Sequence, residues 1–343
     1  KSAEKTSLLV VPSSLLGNWS EEISKFAPSL NFKILHSRFG ITRKEIDLFQ
    51  EKKKSYDIVV TSYKMLESIS WIKKESWNFF ILDEAQTIKN PDNIQTKAVK
   101  KVISLCNIAL TGTPMENKLL DLWSIFDFCL PGLLGSLKEF KLFHVNMLEK
   151  ESFLPLKQMI EPYLLRRLKT DKKIISDLPQ KIEKSIYCLL TEDQIRLYKE
   201  AISQMSKDLK DESDDKKRKG LILRYLLKFK QICNHPSQYL SDNDYDDSKS
   251  GKFFALKRIA SHVEKRGEKL LVFTQFKEIT DILDNFLEKV FQKKGCVIHG
   301  GISPEKRKEK VELFQKSYDY PYFILSLKAG GSGLNLTRAN HVV

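Results

Sequence analysis

Short apolar runs alternate with amphipathic stretches from the start of the chain. Residues 7–11, 32–35, 56–61, 79–82 and 107–110 are compact and rich in β-branched or aromatic side chains, which predicts strands. Between them, 15–26, 42–53 and 94–105 carry helical spacing. Such alternation predicts a doubly wound parallel sheet. From 114 to about 239 the strand signal fades and helical periodicity takes over, as in LLDLWSIFDFCL, LKQMIEPYLLRRLK, TEDQIRLYKEAISQM and LILRYLLKFKQI. The mixed-charge run 207–219 reads as an exposed loop or frayed helix end. SDNDYDDSKSG (241–251) is acidic, nearly free of aliphatics and ends in glycine, which predicts an interdomain linker. Alternation then resumes, with strands expected at 270–274, 296–299, 322–327 and 341–343. Helices are expected at 253–265, at 277–293 and from Ser303, where Pro304 in the first turn costs no hydrogen bond.

The run 79–82 ends abruptly at Asp83 and Glu84, inside WNFFILDEAQTIKN (77–90). An unbroken apolar run fits a strand buried on both faces, and ligands of open α/β sheets bind at the carboxyl ends of such strands. One carboxylate there can hold Mg²⁺ on a nucleoside triphosphate while its neighbour orients or deprotonates water, so the pair fits phosphoanhydride hydrolysis. The competing reading is an acidic pair on a solvated turn. After the next strand, TGTP (111–114) offers two hydroxyls and a glycine, which suit close approach and hydrogen-bond relay. LSLKAGGSGLNLT (325–337) sets Gly330, Gly331 and Gly333 directly after a buried strand. Successive N–H groups there can cradle an anion, with Ser326, Lys328 and Thr337 as further donors. The glycine spacing is not that of a dinucleotide fingerprint. Neither GxxxxGKS nor GxxxxGKT occurs in the 343 residues, so a triphosphate has no P-loop among them.

Composition is that of an ordinary soluble protein, and the length predicts about two domains. No apolar run approaches a membrane span, and Lys1 opens neither a signal peptide nor an ordinary translated start, so the expectation is an intracellular fragment. A net charge of +14 favours a polyanionic partner such as nucleic acid. The five cysteines, Cys106, Cys129, Cys188, Cys233 and Cys296, form no CxxC and are odd in number, which argues against a disulfide framework or a zinc ribbon. Cys233 and His235 lie close in CNHP, but two ligands do not make a metal site.

Taken in order, these blocks resemble the Swi/Snf-type helicase-like ATPases of helicase superfamily two, which are double-stranded DNA translocases. LLVVPSSLLGNWSEEISKF is similar to motif Ia of that family, DIVVTSYKML to motif Ib, ILDEAQTIKN to motif II and LTGTPMENKLLDLWSIFDFCLPGLLG to motif III. LLRRLKTD, LPQKIEKSIYCLLTEDQIRLY and LLKFKQICNHP resemble its helical insertions and the segment bracing the lobes. KLLVFTQF resembles motif IV, HGGISPEKRKEKVELF the segment after it, and LSLKAGGSGLNLTRANHVV motif V. The match runs in order over nearly the whole chain.

The resemblance implies an α/β fold of two RecA-like parallel-sheet lobes with helical insertions between them, both lobes incomplete in this chain. Lobe one would occupy 1–130, the insertions 131–240, the acidic linker 241–251 and lobe two 252–343. ATP and Mg²⁺ are the implied cofactors, with Asp83 holding Mg²⁺ through the nucleotide, Glu84 activating water and Gln86 coupling the nucleotide state to lobe two. Gly333 and Asn335 would lie nearest the nucleotide. Ser13, Thr61, Thr113, Thr274, Gln275 and Ser326 fall in blocks that line the DNA backbone. The implied partner is double-stranded DNA, with DNA-bound protein complexes as targets for remodelling, an intracellular DNA-associated location and no membrane. The family's Walker A loop is expected before 7–11 and its motif VI arginines after Val343. The parent protein is therefore expected to hydrolyse ATP and these residues alone to be inactive. Two alternatives stay open: an ATP-independent nucleic-acid-binding module of the same fold, and an RNA helicase of the same superfamily.

Overall fold

The computed structural model describes residues 6–115, 118–149, 152–168, 171, 178, 181–330 and 334–343. They form two compact units, Lys1–Pro179 and Gln180–Val343. The first contains β1 (Ser7–Val11), α1 (Leu16–Phe26), β2 (Phe32–Leu35), α2 (Arg43–Lys52), β3 (Ile58–Ser62), α3 (Tyr63–Ser68), β4 (Ser76–Leu82), α4 (Ile94–Val99) and β5 (Ile103–Ala109). After them come α5 (Leu119–Cys129), α6 (Leu137–Glu149) and α7 (Leu154–Ile160). The strands form one parallel sheet in the order β2-β3-β1-β4-β5. Side chains alternate across it: Leu8, Val10, Phe80 and Leu82 enter one core, and Leu9, Val11 and Ile81 enter the core on the opposite face.

Three expectations change here. Phe79 is 41 % exposed, so β4 is not buried along its whole length. It pairs with Cys106 on the edge strand β5, where Ile103 and Leu105 also remain exposed. The helix expected over 94–105 stops at Val99, and Ile103 and Ser104 join β5, because Ser76 and Trp77 of β4 offer them a ladder. The helix expected over 156–169 ends at Ile160, and 164–168 carry no helix. Pro162 has no N–H to continue the ladder.

The second unit opens with a helical pair, α8 (Glu192–Asp211) and α9 (Asp215–Asn234), followed by α10 (Pro236–Leu240) and α11 (Gly251–Lys265). A capping box at Thr191 starts α8, and Asp214 caps α9 by accepting from the Lys216 and Lys217 amides, so the charged run 207–219 is the end of α8, a tight turn at 212–214 and the first turns of α9. Then come β6 (Leu270–Thr274), α12 (Thr280–Phe291), β7 (Cys296–Ile298), α13 (Pro304–Lys316), β8 (Tyr322–Ser326), the one-turn α14 (Leu327–Gly330) and β9 (His341–Val342). The sheet is parallel in the order β7-β8-β6-β9, with apolar cores on both faces. The compact units part between Pro179 and Gln180, and the acidic segment 241–251 lies inside the second. Its backbone is taken up locally: His235 Nε2 bonds the Asp246 carbonyl at 2.8 Å, Ser237 Oγ donates to the Asp244 carbonyl at 2.7 Å, and Ser250 caps α11. Among the described residues, no helix is long and apolar enough to cross a membrane.

Candidate functional site

The carboxyl ends of β1, β3, β4 and β5 converge on Asp83 and Glu84. The Asp83 amide donates to the Val10 carbonyl at 2.9 Å, and the Ala85 amide donates to the Leu110 carbonyl at 2.9 Å, so the turn is fastened to the strands on both sides. Between these anchors Glu84 takes a left-handed backbone, with φ 51° and ψ 51°. That conformation is costly for a residue with a Cβ and persists only where the surroundings enforce it.

Both carboxylates are half-buried and engaged. Asp83 Oδ1 accepts from the Glu84 amide at 2.9 Å, and Oδ2 accepts from Trp19 Nε1 at 2.8 Å. The Tyr63 hydroxyl donates to the Asp83 carbonyl at 2.7 Å. Burial first, and the Asp83 charge second, push the Tyr63 phenol well above its usual range, so it stays a donor. Gln86 Nε2 donates to Glu84 Oε2 at 2.6 Å, while Gln86 Oε1 accepts from Thr111 Oγ1 at 2.7 Å. A continuous hydrogen-bonded chain thus runs from TGTP through Gln86 to Glu84, and Thr111 also accepts from the Thr113 amide at 3.2 Å. Trp19 and Tyr63 fall inside the blocks that resemble motifs Ia and Ib, but the sequence did not single them out as partners of Asp83. They reach Asp83 because β1 lies beside β4 and β3 lies beside β1 on the same side of the sheet.

The donor set suits Mg²⁺ carried by a nucleotide. Among the described residues, no group of three or more acidic, histidine or cysteine side chains could enclose a metal. A single carboxylate, with waters and phosphate oxygens completing the shell, is how Mg²⁺ is commonly held in nucleotide sites. Asp83, with one hydrogen bond on each oxygen, keeps lone pairs for that purpose.

The other sequence-predicted residues divide. Ser13 is exposed in the turn after β1, and its carbonyl accepts from Arg38 Nη1 at 3.4 Å. Thr113 is exposed after β5. Thr61 is 0 % exposed, and its hydroxyl donates to the Leu35 carbonyl at 2.9 Å, a bond within the sheet. In the second unit, Thr274 ends β6 and accepts from the Phe276 amide at 3.3 Å. Gln275 is exposed beside it, with Oε1 accepting from Lys230 Nζ of α9 at 3.1 Å, a neighbour that the sequence did not suggest. Ser326 ends β8 and is buried. Asn335 is exposed, and Gln315 Nε2 of α13 donates to its carbonyl at 2.9 Å. The Thr337 hydroxyl accepts from the same Gln315 Nε2 at 3.2 Å. Gly331 and Gly333 lie outside the described residues.

Comparison with known proteins follows the same order along the chain. The family described as SNF2-related domain matches residues 1–238, and the helicase conserved C-terminal domain matches 251–343. The Bacillus subtilis protein YwqA, whose name is that of an ATP-dependent helicase/translocase, is 39 % identical over 346 residues, covering 98 % of this chain and 37 % of its own length. Human DNA excision repair protein ERCC-6 is 30 % identical over 368 residues, covering 98 % of this chain and 24 % of its own. The solved SWI2/SNF2 ATPase core of Sulfolobus solfataricus in complex with dsDNA is 39 % identical, with TM-score 0.49, over 99 % of this chain and 71 % of that one. The chain spans about a third of the length of the curated relatives it matches first. With the match to the first family running over more than half of its residues, the chain belongs to the SNF2-related domain family.

Proposed function

We propose that this chain is part of an ATP-dependent translocase that acts on double-stranded DNA, hydrolysing ATP at Asp83 and Glu84. The observation that carries the reading is the hydrogen-bonded set at the carboxyl end of the first sheet, in which Trp19, Tyr63, Gln86 and Thr111 fix two adjacent carboxylates. Such pre-organisation suits a reaction in which the protein positions groups and little covalent chemistry falls to it. A divalent cation carried on the nucleotide neutralises charge on the phosphate oxygens when bound. Asp83 offers that cation its carboxylate. Glu84, held by Gln86, accepts a proton from the attacking water. The Thr111–Gln86–Glu84 chain makes the position of the base depend on the TGTP turn. Gly333 and Asn335 are assigned to the nucleotide side of the second unit.

Ser13, Thr113, Thr274 and Gln275 are assigned to the phosphate backbone of DNA, each standing at or just beyond the carboxyl end of a parallel strand. Lys230, bonded to Gln275, adds a cation there. The net charge of +14 and the names of the relatives support a nucleic-acid partner and a DNA-associated location. Displacement or remodelling of DNA-bound protein is the corresponding task. The test is ATP turnover by the protein that carries this chain in its natural sequence context, with duplex DNA or single-stranded RNA added. Stimulation by duplex and not by RNA is expected. Equal stimulation by both would remove the assignment to double-stranded DNA, and turnover indifferent to either would remove the nucleic-acid coupling.

A further inference from the structure

Trp19 stands in the first turns of α1, directly after the turn that carries Ser13, with its ring half-buried against the core of Leu9, Val11 and Ile81. An indole has one N–H to place, and the others in this chain place theirs on the main chain. Trp71 donates to the Ile46 carbonyl at 3.2 Å, Trp77 to the Ile72 carbonyl at 2.9 Å and Trp123 to the Gly135 carbonyl at 3.1 Å. Of the four tryptophans, only Trp19 gives its proton to a carboxylate, Asp83 Oδ2 at 2.8 Å. Packing alone does not require this, because a half-buried indole could leave its N–H to water. The bond instead completes a full constraint on Asp83. Tyr63 fixes its carbonyl, the Glu84 amide fixes Oδ1 and Trp19 fixes Oδ2, so rotation of the carboxylate would break two hydrogen bonds at once.

We propose that Trp19 is a positioning residue, setting the orientation in which Asp83 presents its remaining lone pairs to a divalent cation. The proposal rests on the nucleotide-metal reading of Asp83 given above. Outer-shell donors of this kind orient ligating carboxylates, and their loss weakens metal binding on the order of tenfold or more. α1 begins at the Ser13 turn, so the helix that orients the carboxylate also carries a residue assigned to the DNA backbone. Tyr63 remains in place when Trp19 is changed. Trp19→Phe therefore removes the bond to Oδ2, leaving the Glu84 amide on Oδ1 and the backbone anchors of the turn in place.

The four indole N–H resonances of the ¹⁵N-labelled chain supply the test, with Mn²⁺ alone as the probe. Asp83→Asn is expected to shift the Trp19 resonance and leave the other three in place. Mn²⁺ is expected to broaden the Ala85 amide in the wild-type chain, to fail to do so in Asp83→Asn, and to need on the order of tenfold higher concentration in Trp19→Phe. The three remaining indole resonances should be unmoved in Trp19→Phe, which separates this effect from a general loss of structure. A wild-type Mn²⁺ midpoint in Trp19→Phe, with Asp83→Asn impaired, overturns the positioning role and leaves the metal reading standing. Wild-type broadening in Asp83→Asn overturns the metal reading and the proposal with it, and an unmoved Trp19 resonance in Asp83→Asn overturns the hydrogen bond itself.

Discussion

Glu84 holds its side chain in place through a backbone that a glutamate adopts at a cost. The left-handed conformation, about 1–2 kcal/mol unfavourable for a residue with a Cβ, is enforced by the amides of Asp83 and Ala85, each bonded to a neighbouring strand. Gln86 orients the same carboxylate, and backbone strain of this kind clusters at functional sites. Thr61 makes the opposite case. From the sequence it reads like the other hydroxyls at strand ends, and only the parallel pairing of β2 with β3 turns its hydroxyl onto the Leu35 carbonyl. Thr61→Val is expected to cost about 1 kcal/mol of stability in urea unfolding and to leave DNA affinity unchanged. Weakened DNA binding with unchanged stability would return Thr61 to the ligand side.

Among the elements, strands with a continuous apolar run were legible because burial on both faces leaves an unmistakable pattern, as in β1 and β8. The edge strand β5 was legible only in its second half, 107–109. Its first half carries exposed and polar side chains whose extended form comes from pairing with β4, and no local signal reports that partner. The Asp83-Glu84 pair was visible for the same reason as β4, by an abrupt change of polarity. Its supports were hidden, since Trp19 and Tyr63 lie 64 and 20 residues away and meet it through strand order. In the second unit, a Cβ on Gly295 would sit 2.0 Å from the Tyr322 ring, which is pinned by its hydroxyl to Asp284 Oδ1 at 2.8 Å. Gly295→Ala should therefore destabilise by about 1–3 kcal/mol, and an unchanged melting temperature would contradict that packing. The corner between α9 and α10 depends on neutral His235. The Ser237 amide donates to its Nδ1 at 3.1 Å, so the proton sits on Nε2 and is given to the Asp246 carbonyl. Burial holds the imidazole below its ordinary 6.5. The unfolded chain thus takes up this proton more readily, and the contribution is complete above pH 6.5 and declines as pH falls from there through the folded value, by at most about 1.4 kcal/mol per pH unit. Urea midpoints at pH 7.5 and pH 5 should show this decline in the wild type and a shallower one in His235→Asn. Equal slopes would remove His235 from the account.

At the scale of the molecule, two parallel-sheet units present their candidate residues at the carboxyl ends of their strands, and the net charge is +14. Backbone-directed binding of duplex DNA should weaken with salt, with a slope of roughly −0.9 per phosphate contacted. Affinity indifferent to salt would contradict the assignment of Ser13, Thr113, Thr274 and Gln275 to phosphates. The ordered blocks made family membership legible in the sequence, and those at 83–86, 111–114 and 274–275 lie at or just beyond the carboxyl ends of β4, β5 and β6. The central claim is that Glu84 activates the water that attacks ATP, and it is tested most directly by DNA-stimulated turnover in Glu84→Gln, with ATP binding measured alongside in the protein carrying the chain in its natural context. The account predicts binding within a few-fold of wild type and turnover lower by about 10²–10⁴-fold; turnover within a few-fold of wild type would contradict it.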